Sequence, residues 1–179
     1  MLQLREKALF PACAIASSLS AMNLLLLSGS LREGSVNGAT LQTVQRLAPA
    51  SLSVRIYSGT EHLPYYSPDL DHDPLPPAVQ QLRGAVAEAD AVLMCTPEYA
   101  GALPGAFKNL LEWTVGSVVM NDKSVAWINV STAPTEAKDA HASLRLVLGY
   151  VGAQVIEDAC LPLPVPRSAL GPDGLIHDP

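Results

Sequence analysis

Short, uniformly apolar runs alternate along this chain with longer stretches in which apolar residues recur every three or four positions. From Met22 onward that alternation predicts strands and helices taking turns, the pattern of a parallel α/β sheet. The first strand falls at about Asn23 to Ser28, and the first helix at about Asn37 to Leu47, with Leu41, Val44 and Leu47 on one face. Ser53 to Tyr57 alternates Val54 and Ile56 with polar neighbours, as an edge strand with one less covered side should. A long loop carrying Pro64, Pro68, Pro74, Pro76 and Pro77 follows, until Val79, Leu82, Val86 and Ala89 mark a second helix. Ala91 to Cys95 and Val125 to Ile128 are apolar enough for central strands buried on both faces. Pro104 and Gly105 open a third helix with Phe107, Leu110, Leu111 and Trp113 inward. Ala140, Leu144, Val147, Leu148 and Val151 line a fourth helix, which Gly152 ends, and Gln154 to Ala159 is expected to form a fifth strand. Beyond Pro162 the chain is proline-rich, without a clear fifth helix.

Edge-like second and last strands around three apolar ones predict a doubly wound, five-stranded parallel sheet in the flavodoxin-like order 2-1-3-4-5. In that order the switch point lies between the first and third strands, so the loops Ser28 to Asn37 and Thr96 to Pro104 should meet over one ligand crevice. The first loop reads Ser28-Gly29-Ser30-Leu31-Arg32-Glu33-Gly34-Ser35-Val36-Asn37. A strand, a short Gly/Ser loop and a helix start together suit an anion, because a helix N-terminus presents unpaired N–H groups and a positive dipole end. Arg32 adds a guanidinium able to bond phosphate oxygens in pairs. Taken alone, the loop fits a plain connection equally well. The second loop, Thr96 to Gly105, has proline at both ends and small residues in its middle, so its backbone suits the polar edge of a planar ring. A tight strand-to-helix turn with Tyr99 over the core is the alternative.

Length and composition narrow the function. With 179 residues, 49% hydrophobic and 16% charged, the chain fits one core-rich domain, expected over residues 22–179. A net charge of −6 argues against a nucleic-acid surface and for a small-molecule partner. Cys13, Cys95 and Cys160 lie far apart without metal-ligand spacing, which suggests neither a disulfide framework nor a zinc site and suits a reducing, cytoplasmic setting. Arg5 and Lys7 before the apolar stretch Ala8 to Ala16 imitate a secretory signal, but Pro11 interrupts it; residues 1–21 are expected to be a disordered extension. No apolar run is long enough to span a bilayer.

Other chemistry finds little support. GxxxxGK[ST] and GxSxG are absent. Cys95 reads as a small core residue; His62, His72, His141 and His177 read as solvated. Asp69, Asp71 and Asp73 read as a solvated acidic turn rather than a metal site, and Glu98 as a carboxylate orienting its own loop. No residue stands out as a catalytic acid, base or nucleophile.

Two long motifs in order make a family resemblance specific. Gly29-Ser-Leu-Arg-x-x-Ser-x-Asn37 after the first strand and Thr96-Pro-Glu-Tyr-x-x-x-x-Pro-Gly-x-x-Lys-Asn-x-x-x-Trp113 after the third resemble the NAD(P)H-dependent FMN reductase family, which includes quinone, azo and chromate reductases. The resemblance extends over roughly Met22 to Ala159. It implies bound FMN with NADPH or NADH as electron donor, and a small-molecule electron acceptor. Ser30, Leu31, Arg32, Glu33, Gly34, Ser35, Val36 and Asn37 would hold the FMN phosphate. Pro97, Glu98, Tyr99, Ala100 and Gly101 would line the isoalloxazine, and Ser131 would close its other side. A homodimer or homotetramer is implied as well, with the apolar helix ending at Trp113 as a contributor to its interface. Ala100 and Gly101 depart from the Asn and bulky residue common in the family, and Ser131 to Glu136 lacks the usual glycines. The family's C-terminal helix has no counterpart, which leaves a truncated chain or an edge covered by a partner subunit. An FMN-binding electron carrier that does not oxidise NAD(P)H, and a flavin-free interaction module, remain the alternative readings.

Overall fold

The computed structural model describes residues 22–177, so the expected extension over 1–21 and Cys13 lie outside the described residues. Six strands form one sheet: β1 (Met22–Ser28), β2 (Leu52–Ile56), β3 (Ala91–Cys95), β4 (Ser124–Asn129), β5 (Gln154–Val155) and β6 (Leu161–Pro162). Their main path runs β2-β1-β3-β4-β5, all pairs parallel, as the sequence pattern predicts. Four helices cross between strands: α1 (Val36–Leu47), α2 (Pro77–Glu88), α3 (Gly105–Glu112) and α4 (Lys138–Tyr150).

Alternate residues of the central strands face opposite sides, so their apolar runs feed two cores. Leu25, Leu27, Val92, Met94, Val125 and Trp127 pack under α2, α3 and α4, where Phe107, Leu110, Leu111 and Trp113 are fully buried. These four side chains are therefore consumed by the protomer's own core and leave no apolar face for the interface expected of that helix. Leu26, Cys95 and Ile128 face the other way, toward Leu41 of α1. Leu47, expected beside Leu41 and Val44, is 77% exposed, as the last residue of α1.

The fifth strand departs from expectation. Only Gln154 and Val155 pair with β4; Glu157–Ala159 turns as a 3-10 helix, and β6 then returns to pair with Ile128 and Asn129 further along the same strand. Glu157 there makes a two-pronged ion pair with Arg145 of α4, whose guanidinium also lies over the Trp127 ring at 5.1 Å. After β6 the tail crosses the α1 side of the sheet. Val165 N–H donates to Val130 O at 3.1 Å, Val165 and Ala169 are buried, and Ile176 N–H donates to Thr43 Oγ1 at 2.8 Å. The face that a last helix would cover is thus closed by an irregular strap of the same chain.

Two polar readings are corrected. His141 is buried, its Nδ1 2.9 Å from Ala137 O and its Nε2 without a partner, on a helix face turned toward Trp127 rather than solvent. Asp71 is not solvated: its carboxylate accepts from Arg83 Nη2 at 2.6 Å, with both side chains about nine-tenths buried, and Arg83 Nε donates to Trp113 O. Desolvation makes this pair a device that pins the proline-rich loop to α2 rather than a large net stabiliser. Cys95 is the core residue expected, and its burial pushes the thiol from an ordinary 9.0 up to about 12. The folded state favours the protonated thiol, so its contribution is complete below pH 9 and is lost as pH rises toward 12. At pH 8 the native protein should leave Cys95 unmodified by iodoacetamide, and unfolding in urea should expose it, as read by peptide mass mapping.

Candidate active site

The two loops start side by side. Ser28 is in register with Cys95, and Gly29 N–H donates to Cys95 O at 2.9 Å, which brings the ends of β1 and β3 together at the switch point. Gly29 is required by packing: a Cβ there would stand 2.5 Å from Thr96 Cβ and 2.9 Å from Thr96 Cα. Ser30 Oγ accepts from Arg32 N–H at 3.3 Å, and Gly34 turns the chain at φ +60°. Ser35 then caps α1, its Oγ accepting from Gly38 N–H at 3.0 Å. That cap leaves the N–H groups of Val36 and Asn37 at the helix start without partners among the described residues. Asn37 is buried, with its Oδ1 3.5 Å from Cys95 Sγ.

A crevice of about 350 Å³ opens over these groups. Its walls include Val36 and Asn37 from α1, Thr96, Pro97 and Glu98 after β3, and Val130 to Ala133 with Thr135 and Ala137 after β4. Val165 and Arg167 of the strap complete it. Of the residues singled out in the sequence, Val36, Asn37, Pro97, Glu98 and Ser131 share this crevice. Ser30 to Ser35 are not part of its lining: Leu31, Arg32, Glu33 and Gly34 are exposed, and Ser35 is buried in its capping role. Tyr99, Ala100 and Gly101 lie outside the lining, with Tyr99 53% exposed rather than covering the core.

The tip of the second loop is a miniature hairpin. Tyr99 and Ala102 exchange both backbone hydrogen bonds, at 3.0 and 3.1 Å, around Ala100 at φ +51° and Gly101 at φ +71°. Two successive positive φ angles are those of a type I′ turn, for which Asn-Gly is the favoured pair. Ala100 holds its left-handed angle at a cost of about 1 kcal/mol. Ala100→Asn should therefore raise stability by about 0.5–1 kcal/mol, read as a shift in urea midpoint with unchanged slope.

Glu98 does more than orient its own loop. Its Oε2 accepts from Asp139 N–H at 3.1 Å and Ala140 N–H at 3.0 Å, capping α4 from across the crevice. The helix has no cap of its own: Glu136 and Ala137 both take positive φ, and Ala137 at the capping position offers no side-chain oxygen. The loops after β3 and β4 are thereby tied together by one carboxylate at a positive dipole end. On the β4 side, Asn129 Oδ1 accepts from Ser131 N–H at 3.0 Å and Ser131 Oγ from Ala133 N–H at 3.2 Å, so the segment is shaped without glycine.

Thr96, Val130, Thr132, Ala133, Thr135 and Ala137 flank residues already singled out and were accessible from them. Arg167 and Val165 were not: nothing near residue 165 in the sequence marks a return to the first loop. Among the described residues no group of three or more His, Cys, Asp or Glu is placed to hold a metal ion, and no helix is long and apolar enough to cross a membrane.

Residues 22–165 match a family model described as NADPH-dependent FMN reductase. The chain is 36% identical over 93 residues to a quinone reductase of Escherichia coli (strain K12), covering 51% of this chain and 50% of that protein. It thus spans about half the length of such curated relatives. It is 33% identical over 134 residues to a 2-hydroxy-1,4-benzoquinone reductase of a Burkholderia species, covering 73% of this chain and 72% of the other. Among solved structures, a flavoenzyme NAD(P)H:(acceptor) oxidoreductase from Paracoccus denitrificans superposes with a TM-score of 0.77 at 30% identity, covering 88% of this chain and 87% of that one.

Proposed function

Because the chain belongs to the NADPH-dependent FMN reductase family, we propose that it is an FMN-dependent NAD(P)H oxidoreductase whose acceptors are quinone-like compounds, with azo compounds, metal ions and free flavins as further candidates. One observation carries the reading: the unpartnered N–H groups that open α1 and the rigid Pro97-Glu98 segment face one crevice. This donor set fits FMN, with anion donors at the helix start and a flat backbone wall beside them. In this reading Ser30 to Asn37 hold the phosphate through backbone N–H groups and the Arg32 guanidinium. Ser35 contributes by capping, since its hydroxyl is engaged. Pro97 and Glu98 flank the ring, Tyr99, Ala100 and Gly101 form a rim above it, and Ser131 closes the far side. Glu98 acts through its backbone, because its carboxylate is held by α4.

When bound, FMN supplies the hydride and electron transfer, so the chain need supply no acid, base or nucleophile. Its residues orient the two partners and keep the ring's environment fixed. Both proposed ligand loops open onto this same crevice and no GxGxxG occurs in the sequence, so donor and acceptor use the same space in turn, and steady-state plots should give the parallel lines of ping-pong kinetics. Intersecting lines would contradict shared use of the crevice. Cytoplasmic residence and a homodimer or homotetramer belong to the same proposal, the latter supported by Leu146 and Tyr150, exposed one turn apart on α4.

The decisive experiment is an absorbance spectrum of the purified protein reconstituted with FMN, before and after anaerobic NADPH or NADH. Bleaching of the flavin bands is expected with at least one donor. Bound flavin that neither donor bleaches would identify an electron carrier instead, and failure to bind FMN would leave the interaction module. Arg32→Ala is expected to weaken FMN retention about tenfold, measured by equilibrium dialysis.

A further inference from the structure

Arg167 belongs neither to a strand-to-helix loop nor to either motif, yet it stands at the phosphate end of the crevice. Its Nη1–H donates to Gly34 O at 3.4 Å, which sets the guanidinium against the turn just before the Ser35 cap. It also lines the crevice together with Val36 and Asn37, whose main-chain N–H groups are unpartnered. We propose that Arg167 is a second guanidinium for the flavin phosphate, delivered by the strap, and that it makes the site select FMN over unphosphorylated riboflavin. The proposal rests on the reading of this crevice as an FMN site.

Three features carry it. Guanidinium has five N–H donors, only one of which is engaged, and no carboxylate pairs with Arg167 among the described residues. Its backbone is placed by anchors on both sides, since Val165 and Ala169 are buried and Val165 N–H bonds to Val130 O. The side chain thus starts from a fixed point, which lowers the ordering cost of an anion contact. Finally, the phosphate would sit in a protein of net charge −6, where a dianion needs local cations, and Arg32 is exposed in the same loop that Arg167 touches at Gly34. With Arg32 recruited from its exposed loop, two guanidinia at a helix start would form a more selective cradle than the helix dipole alone, because a ligand lacking phosphate leaves both arginines merely solvated.

The test is titration of the full chain and Arg167→Ala with FMN and with riboflavin, followed by quenching of flavin fluorescence. The variant should bind FMN about tenfold more weakly and riboflavin unchanged, so that the preference for FMN shrinks. Arg167→Lys should recover part of the loss, since it restores charge without the fork. Equal weakening of both flavins would show a packing role for the strap and overturn the assignment, as would unchanged FMN binding. Unchanged flavin binding with a raised KM for NADPH would assign the cation to the dinucleotide's phosphates instead. A wild-type chain that binds neither flavin would overturn the FMN reading itself, an outcome distinct from all of these.

Discussion

Gly29→Ala should cost the protein both the proposed flavin site and a sizeable part of its stability. The added methyl would be driven against the Thr96 side chain and to 2.9 Å from Thr96 Cα, and a backbone atom cannot rotate away. The loops after β1 and β3 must then separate, at about 1–3 kcal/mol for an overpacked contact between two backbones. Separation also breaks the Gly29 N–H bond to Cys95 O and moves the helix start away from Pro97. FMN retention should fall by more than an order of magnitude, with a lowered urea midpoint. Gly34→Ala is the informative comparison. Nothing lies within 4 Å of a Cβ at that position, and only its φ of +60° is unfavourable, so about 1 kcal/mol is expected. If Gly29→Ala retained flavin and melted like the parent, the close approach of the two loops would not be what builds the crevice.

The second large effect is structural. Trp113→Ala should destabilise the fold by about 3–5 kcal/mol, because the indole is fully buried and its removal leaves a cavity that α3 and the proline-rich loop cannot close. For a domain of this size that corresponds to a fall of roughly 10 °C or more in Tm, read by calorimetry. The ring stands edge-on to Tyr66 at 5.1 Å, and its Nε1–H donates to Pro64 O at 2.7 Å. Trp113→Phe separates volume from hydrogen bonding. Pro64 O keeps its bond from Asn109 Nδ2 at 2.9 Å, so no buried acceptor is orphaned and the loss should be only about 1–2 kcal/mol. Similar losses for both variants would mean that the indole N–H, not packing, holds the loop.

Trp113 also illustrates how a sequence motif is read. The run from Pro97 through Trp113 marks a family, but its members serve different ends. Pro97 and Glu98 reach the crevice, whereas Asn109 and Trp113 clamp Pro64 and so hold the prolines between β2 and α2 in place of regular hydrogen bonding. Helical periodicity correctly turns Trp113 inward; which side of the molecule its polar atom serves depends on a segment 49 residues away.

What local chemistry fixes was legible without coordinates. Strand order followed from which runs are apolar on both faces, since a central parallel strand has no solvent side. The left-handed Gly101 and Gly152 and the start of α3 after Pro104 followed from residue-level preferences, whereas Ser35, read as a phosphate ligand, is the cap of α1. The crevice followed at the level of its two loops, because strand order alone places them side by side.

What remained hidden rests on contacts between distant segments. Glu98 reads as a surface carboxylate until α4, lacking its own cap, is brought across the crevice to it. Asp71 and His141 read as polar surface until Arg83 and Trp127 are placed beside them. The strap has no periodicity, yet it buries Val165 and Ala169 and carries Arg167 to a loop 133 residues earlier. By itself the sequence determined the sheet, its order and the two loops that meet at one crevice, since these depend on pattern and turn chemistry along the chain. Only the tertiary structure decided what closes the last face of the sheet and which charges surround the crevice. A side chain's partner is set by where the backbone returns in space, and no local preference encodes that.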